Sequence, residues 1–183
     1  MIYKSYIIEK NLSILKNNIT LFYGENLGMK NDFKDQIKRN NSNIFIRKFS
    51  QDEILANKNN FFAEILNVSL FEDKKIYFID QASDKLLEVI KEIEKNLDTQ
   101  KIFIFSEILD KKSKIRNYFE KSDNLDIVAC YFDNETTIRK IIQENLKGYS
   151  GLSQQILNII VENCKLDRAK LNNELKKITS FFT

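Results

Sequence analysis

Three runs of unbroken apolar residues constrain the fold most: Ile76-Tyr77-Phe78-Ile79, Ile102-Phe103-Ile104-Phe105 and Ile127-Val128-Ala129-Cys130. Each is too short to be a helix and too apolar to have a wetted face. Runs of this kind, bounded by charges or polar residues, fit strands buried on both sides, as in a parallel sheet covered by helices. Between and before them the spacing of apolar residues becomes helical. Ile19-Thr20-Leu21-Phe22-Tyr23 is a fourth apolar run, stopped by Gly24-Glu25-Asn26 and followed by a helix-compatible segment from Leu27 to about Lys38. Ile44 to Phe49 reads as a further strand. Ser50-Gln51-Asp52-Glu53 then reads as a capping box, in which the Ser50 oxygen takes the Glu53 N–H and the Glu53 carboxylate reaches back to the Ser50 N–H. The helix it opens is predicted to carry Ile54, Leu55, Phe61, Phe62, Ile65 and Leu66 on one stripe. Ser83 is placed to cap a helix with Leu86, Leu87, Ile90, Ile93 and Leu97, and Ser113 one with Ile115, Tyr118 and Phe119. Strands alternating with helices predict an α/β domain, a parallel sheet with helices on both faces, over residues 1–132.

From Asp133 the pattern changes, and only helices are predicted. One runs from about Asn134 to Lys147 and stops at Gly148, which supplies a left-handed turn. A second starts after Ser153 with Ile156, Leu157, Ile160 and Val161, and a third after Asp167 with Leu171, Leu175 and Ile178. Residues 133–183 therefore read as a small three-helix lid packed on itself. A parallel α/β domain followed by such a lid is the layout of the AAA+ ATPases.

The composition excludes several chemistries. With no histidine among 183 residues there is no Ser-His-Asp or Cys-His pair and no imidazole base. Cys130 and Cys164 are far from Cys-x-x-Cys spacing and are expected to be buried free thiols. Lys and Arg number 29 against 26 Asp and Glu, with the signs interspersed, so no basic stripe announces nucleic acid. No apolar run approaches the roughly 18 residues of a membrane span, and the first residues lack a signal-peptide core. A soluble, cytoplasmic chain with no membrane partner is expected.

The strand-turn-helix at Gly24-Glu25-Asn26-Leu27-Gly28-Met29-Lys30-Asn31 begins as a phosphate-binding loop does. Such a loop needs Gly-x-x-x-x-Gly-Lys-Ser/Thr, because its backbone N–H groups wrap the phosphates and its hydroxyl holds magnesium. Here the glycines are too close, Glu25 stands where phosphate oxygens would sit, and Asn31 brings no hydroxyl. No nucleotide cofactor is expected, and Lys30 reads as a solvated helix residue. Asp80 at the end of an apolar strand resembles a magnesium-binding position, but Gln81 rather than a carboxylate follows it. A nucleotide hydrolase is accordingly the weaker alternative. A nucleic-acid-binding module is the other, on Lys111, Lys112, Lys114 and Arg116 as candidate DNA-facing cations, against the plainer reading of a solvated helix start.

Leu70-Phe71 is the remaining anomaly: a bulky apolar pair in the link between a helix and the Ile76 strand, either folded into the core or displayed for a partner. Here a family resemblance enters, over nearly the whole chain. Leu21-Phe22-Tyr23-Gly24-Glu25, Ser69-Leu70-Phe71, Ile108-Leu109-Asp110-Lys111-Lys112-Ser113-Lys114 and the segment from Leu166 to Ile178 resemble, in order and spacing, the delta subunit of the bacterial DNA polymerase III clamp loader. The resemblance implies an AAA+-like fold without ATPase activity of its own, in a holoenzyme that is a nucleotidyltransferase. It also implies a role in DNA replication: binding the sliding clamp (the beta subunit) through Leu70 and Phe71, with Ser69 beside them, and helping to open the ring for loading onto primed DNA. Other clamp-loader subunits would be partners through a third, helical collar domain, which the family has and this chain, ending at Thr183, is read as lacking by truncation.

Overall fold

The computed structural model describes residues 1–66, 75–149 and 153–181. Its strands are β1 (Ile2–Lys4), β2 (Ile19–Tyr23), β3 (Ile46–Ser50), β4 (Ile76–Ala82), β5 (Lys101–Ser106) and β6 (Leu125–Ala129). They form one six-stranded sheet in the order β1-β6-β2-β5-β4-β3, and each neighbouring pair is parallel. The helices are α1 (Ser5–Lys10), α2 (Leu27–Asn40), α3 (Gln51–Ala56), α4 (Lys58–Leu66), α5 (Leu87–Asn96), α6 (Lys114–Lys121), α7 (Glu135–Asn145), α8 (Gln154–Cys164) and α9 (Arg168–Phe181).

The chain divides into two compact units, residues 1–24 with 33–129, and residues 25–32 with 130–183. In the first, side chains alternate across the sheet as a period of two requires. Ile19, Leu21, Tyr23, Tyr77, Ile79, Ile102, Ile104 and Ile127 point into one core together with Ile54, Phe61, Ile65, Ile90 and Phe119 from the helices. Phe22, Phe78, Phe103 and Phe105 point the other way and form an aromatic cluster, in which Phe22 lies 4.8 Å from Phe33 of α2 and 5.3 Å from Phe105. Both faces of the central strands are therefore apolar and covered, which is why those strands read as continuous apolar runs.

Several local expectations hold. The capping box at Ser50 is formed, with the Ser50 N–H donating to Glu53 Oε2 at 2.6 Å and the Glu53 N–H to Ser50 Oγ at 3.3 Å. Ser113 caps α6 and Ser153 caps α8 through the Arg116 and Ile156 N–H groups. Cys130 and Cys164 are free and buried. Others need correction. The helix predicted to run from Ser50 past Leu66 is two helices, because Asn57 (φ −145°, ψ 70°) ends α3 and its Oδ1 then accepts the Asn60 N–H at 3.1 Å to start α4. Ser83 opens a 3-10 turn, Asp84–Leu86, before α5 begins. Strand β3 starts at Ile46 rather than Ile44, and β1 was not anticipated: it is three residues long and largely exposed, so it carries no pattern.

The second unit is a helix bundle. Ile138, Ile142, Leu146, Leu157, Ile160, Val161, Cys164, Leu171 and Leu175 form its core. Gly148 has φ +100°, the left-handed turn expected after α7.

In the first unit the Tyr118 hydroxyl donates to Glu94 Oε2. That bond above all, then burial, pushes the Tyr118 pKa up to about 12. The unfolded value is about 10, so the stabilisation is complete below about pH 10 and is lost as pH rises through the folded value of about 12. Tyrosinate absorbance should show a tyrosine titrating near pH 12, and Glu94→Gln should move it down toward the ordinary range. A wild-type chain with no such tyrosine would refute the pairing.

Candidate functional site

The start of α2 is where a phosphate would bind in a fold of this kind, since the first N–H groups of a helix have no intrahelical partner. Here protein groups occupy that position. Asn26 precedes α2, and its Oδ1 accepts the Met29 N–H at 3.0 Å. The Asn26 Nδ2 donates to Asp133 Oδ2 at 2.8 Å and to the Tyr131 carbonyl at 3.1 Å, while the Asn26 N–H donates to the Cys130 carbonyl. Asp133 in turn receives a two-pronged guanidinium: Arg168 Nε donates to Oδ2 at 2.8 Å and Nη2 to Oδ1 at 2.5 Å. Both side chains are 2% exposed. Arg168 Nη1 also lies 3.6 Å from Asp32 Oδ2, and Asn172 Nδ2 donates to Asp32 Oδ1 at 2.7 Å.

Sterics close the same place. A Cβ at Gly28 would sit 2.5 Å from the Ala169 nitrogen and 2.7 Å from the Arg168 carbonyl carbon, so the backbone that opens α9 rests directly on this glycine. The requirement at Gly28 is therefore for close approach of α9 within the second unit. Lys30 is not the solvated residue expected. It is 6% exposed, because Lys30, Phe33 and Ile37 fall at i, i+3 and i+7 on the buried stripe of α2.

In the first unit, Asp80 does lie near the carboxyl end of β4, and Lys34 of α2 donates to its Oδ1 at 2.5 Å while standing 4.4 Å over the Phe105 ring. Gln81 follows with φ +60°, and the β4–β5 register shifts between Ile79 and Ala82. The carboxylate is thus neutralised by a tethered ammonium. Among the described residues no group of three or more Asp, Glu, Cys or His is arranged to hold a metal ion.

Of the predicted site residues, Ser69, Leu70 and Phe71 lie outside the described residues, in the link between α4 and β4. The basic segment is divided. Lys111, Lys112 and Lys114 are exposed. Arg116 turns inward, with Nε donating to Glu120 Oε1 at 2.8 Å, Nη1 to the Leu109 carbonyl at 2.9 Å, and its plane 4.9 Å from the Tyr23 ring. Asp84 fastens the segment: burial raises its pKa, but the Ile115 N–H and the Ser113 hydroxyl bonded to its carboxylate outweigh that and hold it low. The Arg168–Asp133–Asn26 network is what sequence reasoning missed. Its three members are far apart in the chain, and the one local sign was Asn26 in a capping position before Leu27.

The six-stranded parallel sheet with helices is an AAA+-like fold. The chain is similar to the "Probable DNA polymerase III subunit delta" of Rickettsia prowazekii, 28% identical over 130 residues, covering 70% of this chain and 38% of that protein. It also resembles the Bacillus subtilis DNA clamp loader delta protein, with a TM-score of 0.63 and 10% identity over 97% of this chain and 57% of that one. AMPPCP-bound DnaA from Aquifex aeolicus matches with a TM-score of 0.60 and 20% identity, over 96% and 58%. No family model matches. The resemblance to the clamp-loader delta subunit read from the sequence is borne out by the first two, and the chain spans well under two thirds of the length of either. Among the described residues no helix is long and apolar enough to cross a membrane.

Gly28→Ala tests the close approach. An exposed helix-interior glycine gains about 0.5–1 kcal/mol on becoming alanine, whereas forcing a methyl into packed backbone costs about 1–3 kcal/mol. Chemical denaturation should show net destabilisation. A neutral or stabilised variant would mean that α9 does not rest on Gly28.

Proposed function

We propose that the chain is the amino-terminal part of a clamp-loader delta subunit, with residues 1–132 as the AAA+-like domain and 133–183 as the lid. In this role it acts without catalysis and binds the sliding clamp through Leu70 and Phe71. The observation that carries the reading is the 28% identity to a delta subunit over 130 residues, together with an apolar pair in the α4–β4 link. Burying both side chains in a partner would contribute about 3–6 kcal/mol, the size of an interface hot spot. Such binding helps to open a ring only if the open clamp is bound more tightly than the closed one.

The internal ion pairs support the absence of catalysis. Asp133 beside the start of α2 would repel a phosphate, Arg168 is already matched to Asp133, and Lys34 sits where Asp80 would hold magnesium. Calorimetric titration with Mg-ATP at millimolar concentration should show no binding. A micromolar, magnesium-dependent site would overturn this and favour a hydrolase.

The clamp reading is tested on a Leu70→Ala/Phe71→Ala protein by pull-down with a bacterial sliding clamp and by thermal melting. The double variant should lose clamp binding and keep its melting temperature. A core pair would behave in the opposite way, each truncation costing about 2–5 kcal/mol of stability. A second reading, contact of Lys111, Lys112 and Lys114 with DNA phosphates, is favoured by their exposure. Replacing the three by alanine should then reduce the salt slope of DNA binding.

A further inference from the structure

The bundle core of the second unit contains no residue of the segment 25–32 that packs with it. Met29 of that segment is buried, and a run of polar and close contacts joins the segment to the rest of the unit: Asn26 to Asp133, Asp133 to Arg168, Arg168 and Asn172 to Asp32, and the α9 backbone against Gly28. Asp133 and Arg168 are both almost wholly buried, and each gives the other the charged, two-bonded partner that such burial requires. The network surrounds the N-terminus of α2, the place that favours an anion in a helix of this length.

We infer that Arg168 and Asp133 form an internal latch that holds the start of α2 on the start of α9, fixing the conformation of the second unit without an anionic ligand. Asp133 stands in for the anion, as a carboxylate tethered through Asn26 to the helix start. Arg168 is the cation such an anion would recruit, supplied from α9. Asp32 and Asn172 extend the clasp one turn along each helix, so the contact resists rotation as well as separation. The inference is independent of the clamp-binding reading, since it concerns the chain alone.

Hydrogen exchange on the whole chain tests it. In the wild-type protein, amides of residues 28–32 should exchange slowly, and millimolar pyrophosphate should leave their rates unchanged. Arg168→Met keeps an apolar stem and removes the guanidinium. It should speed exchange in 25–32 by at least about tenfold while α8 keeps its rate, because local opening reports local contacts. Asp133→Asn should do the same, leaving a buried cation poorly paired. The double variant should recover part of the loss, since neither charge is then left without its two-pronged partner. Arg168→Lys, milder and still charged, should fall between wild type and Arg168→Met. The latch is overturned if Arg168→Met leaves 25–32 as protected as before, if protection falls equally across α7, α8 and α9, or if the two single effects simply add. It is equally overturned if pyrophosphate slows exchange in the wild-type protein.

Discussion

A parallel sheet cannot leave a face in water, and most of what this chain does follows from that constraint. Strands β2, β4 and β5 carry isoleucine and tyrosine to one side and phenylalanine to the other, so helices must cover both. The aromatic side is the tighter case. Phe22, Phe78, Phe103 and Phe105 need a flat apolar lid, and α2 supplies it with Phe33 and Ile37. Because α2 follows β2 directly, its residues from Phe33 onward complete this core in the first unit, while its first turns, to Asp32, belong to the second.

What this chain does with that position differs from a nucleotide-binding loop in chemistry more than in shape. The strand, turn and helix are all present. The groups that would serve phosphate and metal are instead matched to protein partners: the Met29 N–H to Asn26, Asp133 to Arg168, Asp80 to Lys34. Each match is local within its own unit. Buried ion pairs of this quality are weak evidence for stability in themselves, since an apolar replacement is often as good. The Arg168–Asp133 pair is a strong constraint on change, because removing one member leaves the other buried without its two-pronged partner.

The fold was legible in the sequence wherever a signal is local. Ser50 with Glu53, Ser113, Ser153 and Gly148 act at the helix ends where they were placed, because capping depends on residues three or four apart. Asn57 was equally local and was overlooked, since the apolar stripe of Ile54, Phe61 and Ile65 runs through the break in phase and hides it. Strand β1 could not be read, because a short exposed edge strand has no periodicity to detect. Lys30 was misread by its type: the charge argued for solvent, while its place on the Phe33–Ile37 stripe argued for burial, and the stripe prevailed. The Arg168–Asp133–Asn26 network lies beyond any spacing rule, because sequence patterns do not pair a residue at the start of α9 with a loop more than 100 positions away.

The same network explains why the defect in the phosphate loop is deeper than its spelling. By sequence alone the loop has three faults: its glycines are too close, Glu25 stands where phosphate oxygens would sit, and Asn31 brings no hydroxyl. The geometry adds to them. A threonine at 31 would restore a metal-binding oxygen but would leave the Met29 N–H capped by Asn26 and the space above Gly28 filled by the α9 backbone. An incoming phosphate would also meet the buried Asp133 carboxylate, which Asn26 ties to the helix start. Removing Asp133 as well would cost the buried Arg168 guanidinium its two-pronged partner and leave it Asp32 at 3.6 Å. Asn31→Thr alone therefore leaves the start of α2 capped by Asn26 and covered by the α9 backbone.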